Sequence, residues 1–236
     1  MSKSRIALIT GANRGIGREV ARQLHVKGFQ VILTARDARA AREAAHELDP
    51  KFQSPKPMTL DVADENSIHA AAHAFADAGF RHLDVLINNA GILLDENKNA
   101  LNVEPQKILD TFRTNTLGSL LVARAFKSFL IAAPNGRIIN VSSGGGSLAH
   151  MTNWAPAYSI SKAALNAVTR QLAASLSGKG IAVNSVCPGW VRTRMGGPRA
   201  PRSLEQGAET IVWLATEAPQ SFTGKFFGDG KREVAW

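Results

Sequence analysis

The chain has 236 residues, 44% of them hydrophobic and 20% charged. That is one medium domain or at most two small ones, with a core large enough to need neither disulfides nor metal. Its one cysteine, Cys187, excludes an internal disulfide framework and fits a reducing compartment. A net charge of +9 admits a nucleic-acid binder, but there is no basic block and only 6% of residues are aromatic, so neither a basic arm nor a stacking platform is visible.

Short β-branched runs alternate with helically spaced segments from end to end. The opening Met1-Ser2-Lys3-Ser4-Arg5 is not leader-like, and no apolar run approaches about 18 residues. A cytoplasmic chain without a membrane span is therefore expected. Ile6–Thr10 reads as the first strand, followed by the turn Thr10-Gly11-Ala12-Asn13-Arg14-Gly15-Ile16-Gly17 and a helix with an Ile16, Val20, Leu24 stripe. A glycine-rich turn between strand and helix suits a dinucleotide phosphate, with Gly11 for the turn, Gly15 for close approach and Gly17 for packing. Taken alone, the turn also admits a corner without ligand. The second run, Val31–Thr34, ends in Thr34-Ala35-Arg36, where an NAD-binding chain would carry an acid. Arg36 together with Arg14 suits a 2′-phosphate, although either alone reads as a solvated surface arginine.

The third run is Met58–Leu60. The fourth, Asp84–Asn88, leads into Asn88-Asn89-Ala90-Gly91, which is either a plain Asn-rich turn or part of a ligand crevice at the strand ends. Ile108, Phe112, Thr116–Leu117, Leu121 and Phe126 mark a helix interrupted by Asn115, whose polarity predicts a local distortion or a bound water. Arg137–Ser142 is the fifth run, and the serines at its end, Ser142 and Ser143, could donate to a carbonyl oxygen or simply cap a turn.

The next helix holds the chain's lone tyrosine in Tyr158-Ser159-Ile160-Ser161-Lys162, continues through Leu165, Val168, Leu172 and Leu176, and ends at Gly178 and Gly180. Tyr158 and Lys162 share a face at i,i+4. A nearby ammonium would lower the phenol below its usual value of about 10 and make it a proton donor near neutral pH. An exposed Tyr–Lys pair is the plainer alternative. Ile181–Val186 and Lys225–Phe227 are the last two runs, and Gly189–Pro201 reads as a lid loop over a substrate or as an ordinary surface loop. His69 and His73 share a helix face, but no third ligand lies near them in sequence, so no metal is expected. The alternation predicts an α/β fold: one doubly wound parallel sheet with helices on both faces, a Rossmann-like single domain over residues 1–236, with the substrate loop at about 189–203.

In this order, Thr10–Gly17, Asp61, Asn88–Gly91, Asn115, Ser143, Tyr158, Lys162 and Pro188-Gly189…Thr193 resemble the short-chain dehydrogenase/reductase family over essentially the whole chain. Thr34–Asp37, Cys187–Thr193 and Trp236 are similar to its NADPH-dependent carbonyl reductases. The resemblance implies that Tyr158 is the general acid in carbonyl reduction, with Lys162 on the nicotinamide ribose and lowering the tyrosine pKa. It implies that Ser143 polarises the carbonyl and Asn115 holds a relay water. The cofactor NADPH/NADP+ would contact Gly11, Asn13, Arg14, Gly15, Ile16 and Gly17 at its phosphates and Arg36 at the 2′-phosphate. Asp61 and Val62 would meet adenine, Asn89, Ala90 and Gly91 the ribose side, and Pro188, Gly189, Val191 and Thr193 the carboxamide, while the hydride itself is the cofactor's chemistry.

Ser143 and Tyr158 lie slightly farther apart than is usual in the family, a difference for Gly144–Gly146 to absorb. A long insertion that keeps the vertebrate enzymes monomeric is missing, so monomer or homodimer stays open, with the apolar faces of the Asn115 and Tyr158 helices available for pairing. The expected partner is a small carbonyl compound, aromatic or otherwise apolar given His150, Met151 and Trp154, with no nucleic acid and no membrane. One rival is a non-catalytic NADP-binding redox sensor, which would have no need of a general acid. The other is a nucleic-acid binder, to be recognised by salt-dependent DNA binding that persists at saturating NADPH.

Overall fold

The computed structural model describes residues 4–51 and 53–236; the Met1-Ser2-Lys3 start of the leader reading lies outside them. All seven predicted runs are strands of one parallel sheet, in the order β3-β2-β1-β4-β5-β6-β7. In chain order the elements are β1 (Ile6–Ile9), α1 (Gly15–Val26), β2 (Gln30–Ala35), α2 (Ala38–Leu48), β3 (Lys56–Thr59), α3 (Glu65–Asp77) and β4 (Val85–Asn88). They continue as α4 (Pro105–Phe112), α5 (Gly118–Ala125), α6 (Lys127–Ile131), β5 (Arg137–Val141), α7 (Pro156–Ser175), β6 (Ala182–Val186), α8 (Leu204–Thr216) and β7 (Lys225–Phe227).

The strands are apolar on both faces because helices cover both. Ala7, Ile9, Val31, Leu33 and Ile87 pack with Val20 and Leu24 of α1 and with Ile211 and Leu214 of α8. Their alternating neighbours Ile6, Leu8, Ile32 and Leu86 pack with Ile68 and Phe75 of α3 and with Val122 of α5. Strand β3 begins two residues earlier than the predicted Met58 and contains Pro57. Proline cannot donate to a ladder, but β3 is an edge strand and pairs only with β2.

The segment after β4 differs from a continuous amphipathic helix. Between α4 and α5, Arg113–Leu117 is a single π-helical turn centred on Asn115, which is the distortion its polarity predicts. The extra residue rotates the following face. Thr111, Asn115, Thr116 and Ser119 turn inward, while Phe112 and Leu117 of the expected apolar stripe stay 40% and 39% exposed. Strand order reverses around β1, which lies between β2 and β4. The carboxyl ends of β1, β4, β5 and β6 therefore open on one crevice, where a sheet of this kind binds ligands.

Candidate functional site

The glycine turn rises from the end of β1. Gly11 and Gly15 both take left-handed backbone (φ 63° and 59°), and the first turn of α1 has no side-chain cap, so its N–H groups face the crevice without an acceptor of their own. The Asn88–Gly91 segment is more than an Asn-rich turn. Asn89 Nδ2 donates to Thr10 O (2.9 Å) and Gly11 O (3.1 Å), and Thr10 Oγ1 accepts from the N–H groups of Asn89 (2.9 Å) and Ala90 (3.0 Å). Gly17 lies against this brace, and a Cβ there would collide with the Asn89 amide. Asn13 and Ile16 are half-buried in the same turn.

Arg14, in the same turn, and Arg36, just after β2, are exposed, and among the described residues neither forms an ion pair. Asp37, next to Arg36, is committed as the cap of α2, accepting from Ala40 N at 2.9 Å. Asp61 is fixed after β3 by its own turn: its N–H donates to Ser67 Oγ and its Oδ1 accepts from Ala63 N, each at 2.9 Å. Val62 is buried under Gly118 of α5.

Asn115, Tyr158 and Lys162 form one buried group below the crevice. The Asn115 Oδ1 accepts from Ile92 N (2.8 Å), and its Nδ2 donates to Ile92 O (2.9 Å) and Ser161 Oγ (3.0 Å). Lys162 Nζ donates to Val141 O at 2.8 Å and stands 5.6 Å from the centre of the Tyr158 ring. A Cβ on Gly91 would lie 3.3 Å from Asn115 Oδ1 and 3.5 Å from Lys162 Nζ, so Gly91 keeps open the space beside the ammonium.

The two serines separate cleanly. Ser142 is buried with its hydroxyl donating to Lys162 O (3.3 Å), whereas Ser143 is half-buried, its Oγ accepting from Gly145 N (3.2 Å) on the side of the Tyr158 phenol. Between Ser143 and Tyr158 the chain forms two 3₁₀ turns, Leu148–His150 and, directly after Ser143, Gly144–Gly146. The latter lies directly on α7: a Cβ on Gly146 would come within 2.6 Å of Lys162 C, and Asn166 Nδ2 donates to Gly146 O at 3.1 Å.

The electrostatics differ from the expectation of a lowered tyrosine pKa. Burial pushes the Tyr158 phenol up to about 12, against the opposing pull of the Ser143 hydroxyl. The ammonium does not offset this, because its own burial brings Lys162 down to about 8 and its hydrogen bond goes to Val141 O. The Cys187 thiol is also raised by burial; its sulfur accepts from Gly144 N at 3.0 Å.

The remaining predicted residues follow β6. Pro188 and Gly189 leave the strand, Val191 is buried and bridges to Arg202, and the Thr193 side chain lies 3.7 Å from the Cβ position of Gly15, which brings this loop over the glycine turn. The loop is internally tied. Trp190 Nε1 donates to Gly196 O (2.8 Å), and the Arg192 guanidinium donates to Ala200 O (3.1 Å) and Pro201 O (2.9 Å). Leu148, Met151, Trp154, Trp190 and Met195 remain exposed, and the Trp154 ring meets the Tyr158 ring edge-on at 5.8 Å.

Sequence reasoning missed Asp95 and Asn166, and it gave no role to Thr10 and Ser161 although both stand within its motifs. Each acts through a partner on another element or on the backbone, so its own neighbours in the chain carry no signal.

Comparison with known proteins agrees with this geometry. The family model for short chain dehydrogenase matches residues 5–203, and the chain belongs to that family. It is 33% identical to carbonyl reductase (NADPH) 1 of Sus scrofa, covering 100% of this chain and 95% of that protein. The alignment runs to 286 positions, longer than this chain because the relative carries insertions. It is 35% identical to short-chain dehydrogenase anuI of Penicillium roqueforti, covering 95% and 94%. Among solved structures, an NADPH-bound carbonyl reductase from chicken fatty liver superposes with a TM-score of 0.91 at 30% identity, covering 99% of both chains. Carbonyl reductase Sniffer of D. melanogaster gives 0.88 at 28% identity, again over 99% of both.

Proposed function

We infer that this chain reduces the carbonyl of an apolar aldehyde or ketone with NADPH, with Tyr158 as proton donor. It is an NADP-dependent oxidoreductase of the short-chain family. The residues fit the cofactor: an uncapped α1 N-terminus between Gly11 and Gly15, two arginines without ion pairs, and a lysine beside the gap at Gly91. When bound, the dinucleotide supplies the hydride.

In this reading the Gly11–Gly17 turn, with Asn13, Arg14 and Ile16, holds the phosphates, and Arg36 the 2′-phosphate. Asp61 and Val62 meet adenine, while Asn89 acts by bracing the turn. Ala90, Gly91, Tyr158 and Lys162 line the ribose. Pro188, Gly189, Val191 and Thr193 meet the carboxamide under a loop at 189–203, which serves as the substrate-side cover of a single domain.

The observation that carries the mechanism is the buried pairing of Tyr158 with Lys162, whose Nζ stands 5.6 Å from the phenol ring, with the Ser143 hydroxyl beside the same phenol. Ser143 donates to the substrate oxygen as negative charge gathers there, and the phenol gives up its proton to the same atom. Burial holds the Tyr158 phenol protonated, the form that donates to a carbonyl oxygen. Ile92 and Ser161 engage both amide atoms of Asn115, and its backbone carbonyl accepts from Ser119 Oγ of α5 at 3.1 Å, so Asn115 supports the proton relay by tying the Ile92 segment to the helix that carries Tyr158.

Trp154, edge-on to the Tyr158 ring, with exposed Leu148 and Met151 before it and Trp190 and Met195 in the 189–203 loop, supports an aromatic or aliphatic substrate. Exposed Leu109, Phe112 and Ile160 on α4 and α7 support a homodimer, testable by mass in solution, and the single reduced thiol supports a cytoplasmic setting. The functional test is NADPH absorbance against a panel of aldehydes, ketones and quinones, repeated with NADH. Turnover of apolar carbonyls with NADPH is expected. Tight NADPH binding with no turnover of any of them would favour the redox sensor instead.

A further inference from the structure

The catalytic helix α7 starts in an unusual way. Its N-cap, Ala155, has left-handed backbone (φ 45°) and no side-chain acceptor, and its first residue, Pro156, has no N–H to offer. The first helical donor is therefore Ala157 N, immediately before Tyr158. That donor is met from far away in sequence: Asp95 Oδ2 accepts from it at 2.6 Å across 62 residues. Asp95 is 1% exposed, it has no ion-pair partner among the described residues, and its Oδ1 has no hydrogen-bond partner.

A carboxylate buried without a cation is retained at a cost, and here the positive end of a 20-residue helix is what faces it. The same loop is fixed a second time at Ile92, whose N–H and C=O both bond the Asn115 side chain. Two ties thus join the segment after Gly91 to the helices carrying Asn115 and Tyr158.

We propose that Asp95 is a positioning residue: as a remote N-cap of α7 it sets the place of the Tyr158 phenol relative to Gly91, Asn115 and the reacting carbonyl. It touches no reacting atom and acts through Ala157. This rests on Tyr158 being the proton donor, so Tyr158→Phe is run in parallel.

The test compares Asp95→Ala, Asp95→Asn and Asp95→Glu in the full chain, reading kcat, KM, NADPH affinity and the solvent isotope effect on kcat. Asparagine keeps an oxygen acceptor in the same place, and asparagine and aspartate cap equally well. Glutamate keeps the charge but displaces the acceptor by one methylene. Displacing a proton donor by about 1 Å lowers kcat by up to about 100-fold.

Asp95→Ala and Asp95→Glu should therefore lose about 10- to 100-fold in kcat with an enlarged solvent isotope effect, while NADPH affinity stays within about twofold; Asp95→Asn should restore most of the rate. A purely structural role would lower stability without enlarging the isotope effect, and that result overturns the proposal. So does wild-type kcat in Asp95→Glu, the variant that decides if Asp95→Ala does not fold, and so does an Asp95→Asn no better than Asp95→Glu. Normal turnover in Tyr158→Phe would instead remove the reading of the tyrosine on which the proposal rests.

Discussion

Lys162 is the clearest case of a residue kept against stability. It is 3% exposed and its pKa falls from 10.5 to about 8, so the folded protein binds this proton more weakly than the unfolded chain does. Such a shift corresponds to about 3 kcal/mol. The cost is fully present below pH 8, shrinks as pH rises from 8 to 10.5, and is gone above that range. Lys162→Met removes the buried ammonium at similar length but leaves Val141 O without its donor, which takes back about 1–2 kcal/mol. The variant should therefore be more stable than wild type at pH 7 by about 1–2 kcal/mol, raising Tm by roughly 2–8 °C for a chain of this size. It should also be close to inactive. Urea unfolding of both proteins without added cofactor, at about pH 7 and again at about pH 10, measures the difference and its decline with pH. A Lys162→Met protein less stable than wild type at pH 7, or a difference that does not change with pH, would refute the reasoning.

Two further expectations concern the loop and the cofactor. In Gly146→Ala the new methyl meets the backbone of Lys162 at 2.6 Å, which cannot yield as a flexible side chain would. Stability should fall by about 1–3 kcal/mol, and kcat by about tenfold or more as Ser143 moves off Tyr158, both read from melting and steady-state rates. Arg36→Asp replaces a cation without an ion pair by an acid suited to a ribose hydroxyl, and should move the NADPH/NADH ratio of kcat/KM toward NADH by about tenfold or more. An unchanged ratio places the 2′-phosphate elsewhere.

What the sequence made legible follows from periodicity and from motifs closed within a few residues. Most strands of the sheet are short apolar runs that need no tertiary information to recognise, the edge strand β3 being the exception, and Gly11, Gly15, Tyr158 and Lys162 stand in local patterns. The polarity of Asn115 correctly signalled a distorted helix. The exposure of Leu117 was hidden because the π turn rotates the face by one residue, which a regular period misses. The tyrosine pKa was misjudged because i,i+4 spacing gives proximity but says nothing about burial. The ties from Asn89 to Thr10, Asp95 to Ala157 and Asn166 to Gly146 span 79, 62 and 20 residues, and only folding brings their partners together. Charge alone pointed toward a polyanion; under the proposed function Arg14 and Arg36 would place part of that charge at a cofactor phosphate.

The central claim is that one phenol donates the proton. Tyr158→Phe removes a single oxygen from a buried ring and leaves the glycine turn, Lys162 and its bond to Val141 in place. With NADPH and the best carbonyl substrate, kcat should fall by about 100- to 10,000-fold while NADPH affinity stays within a few-fold. Turnover within about threefold of wild type would contradict the account, since a lost general acid is worth far more than that.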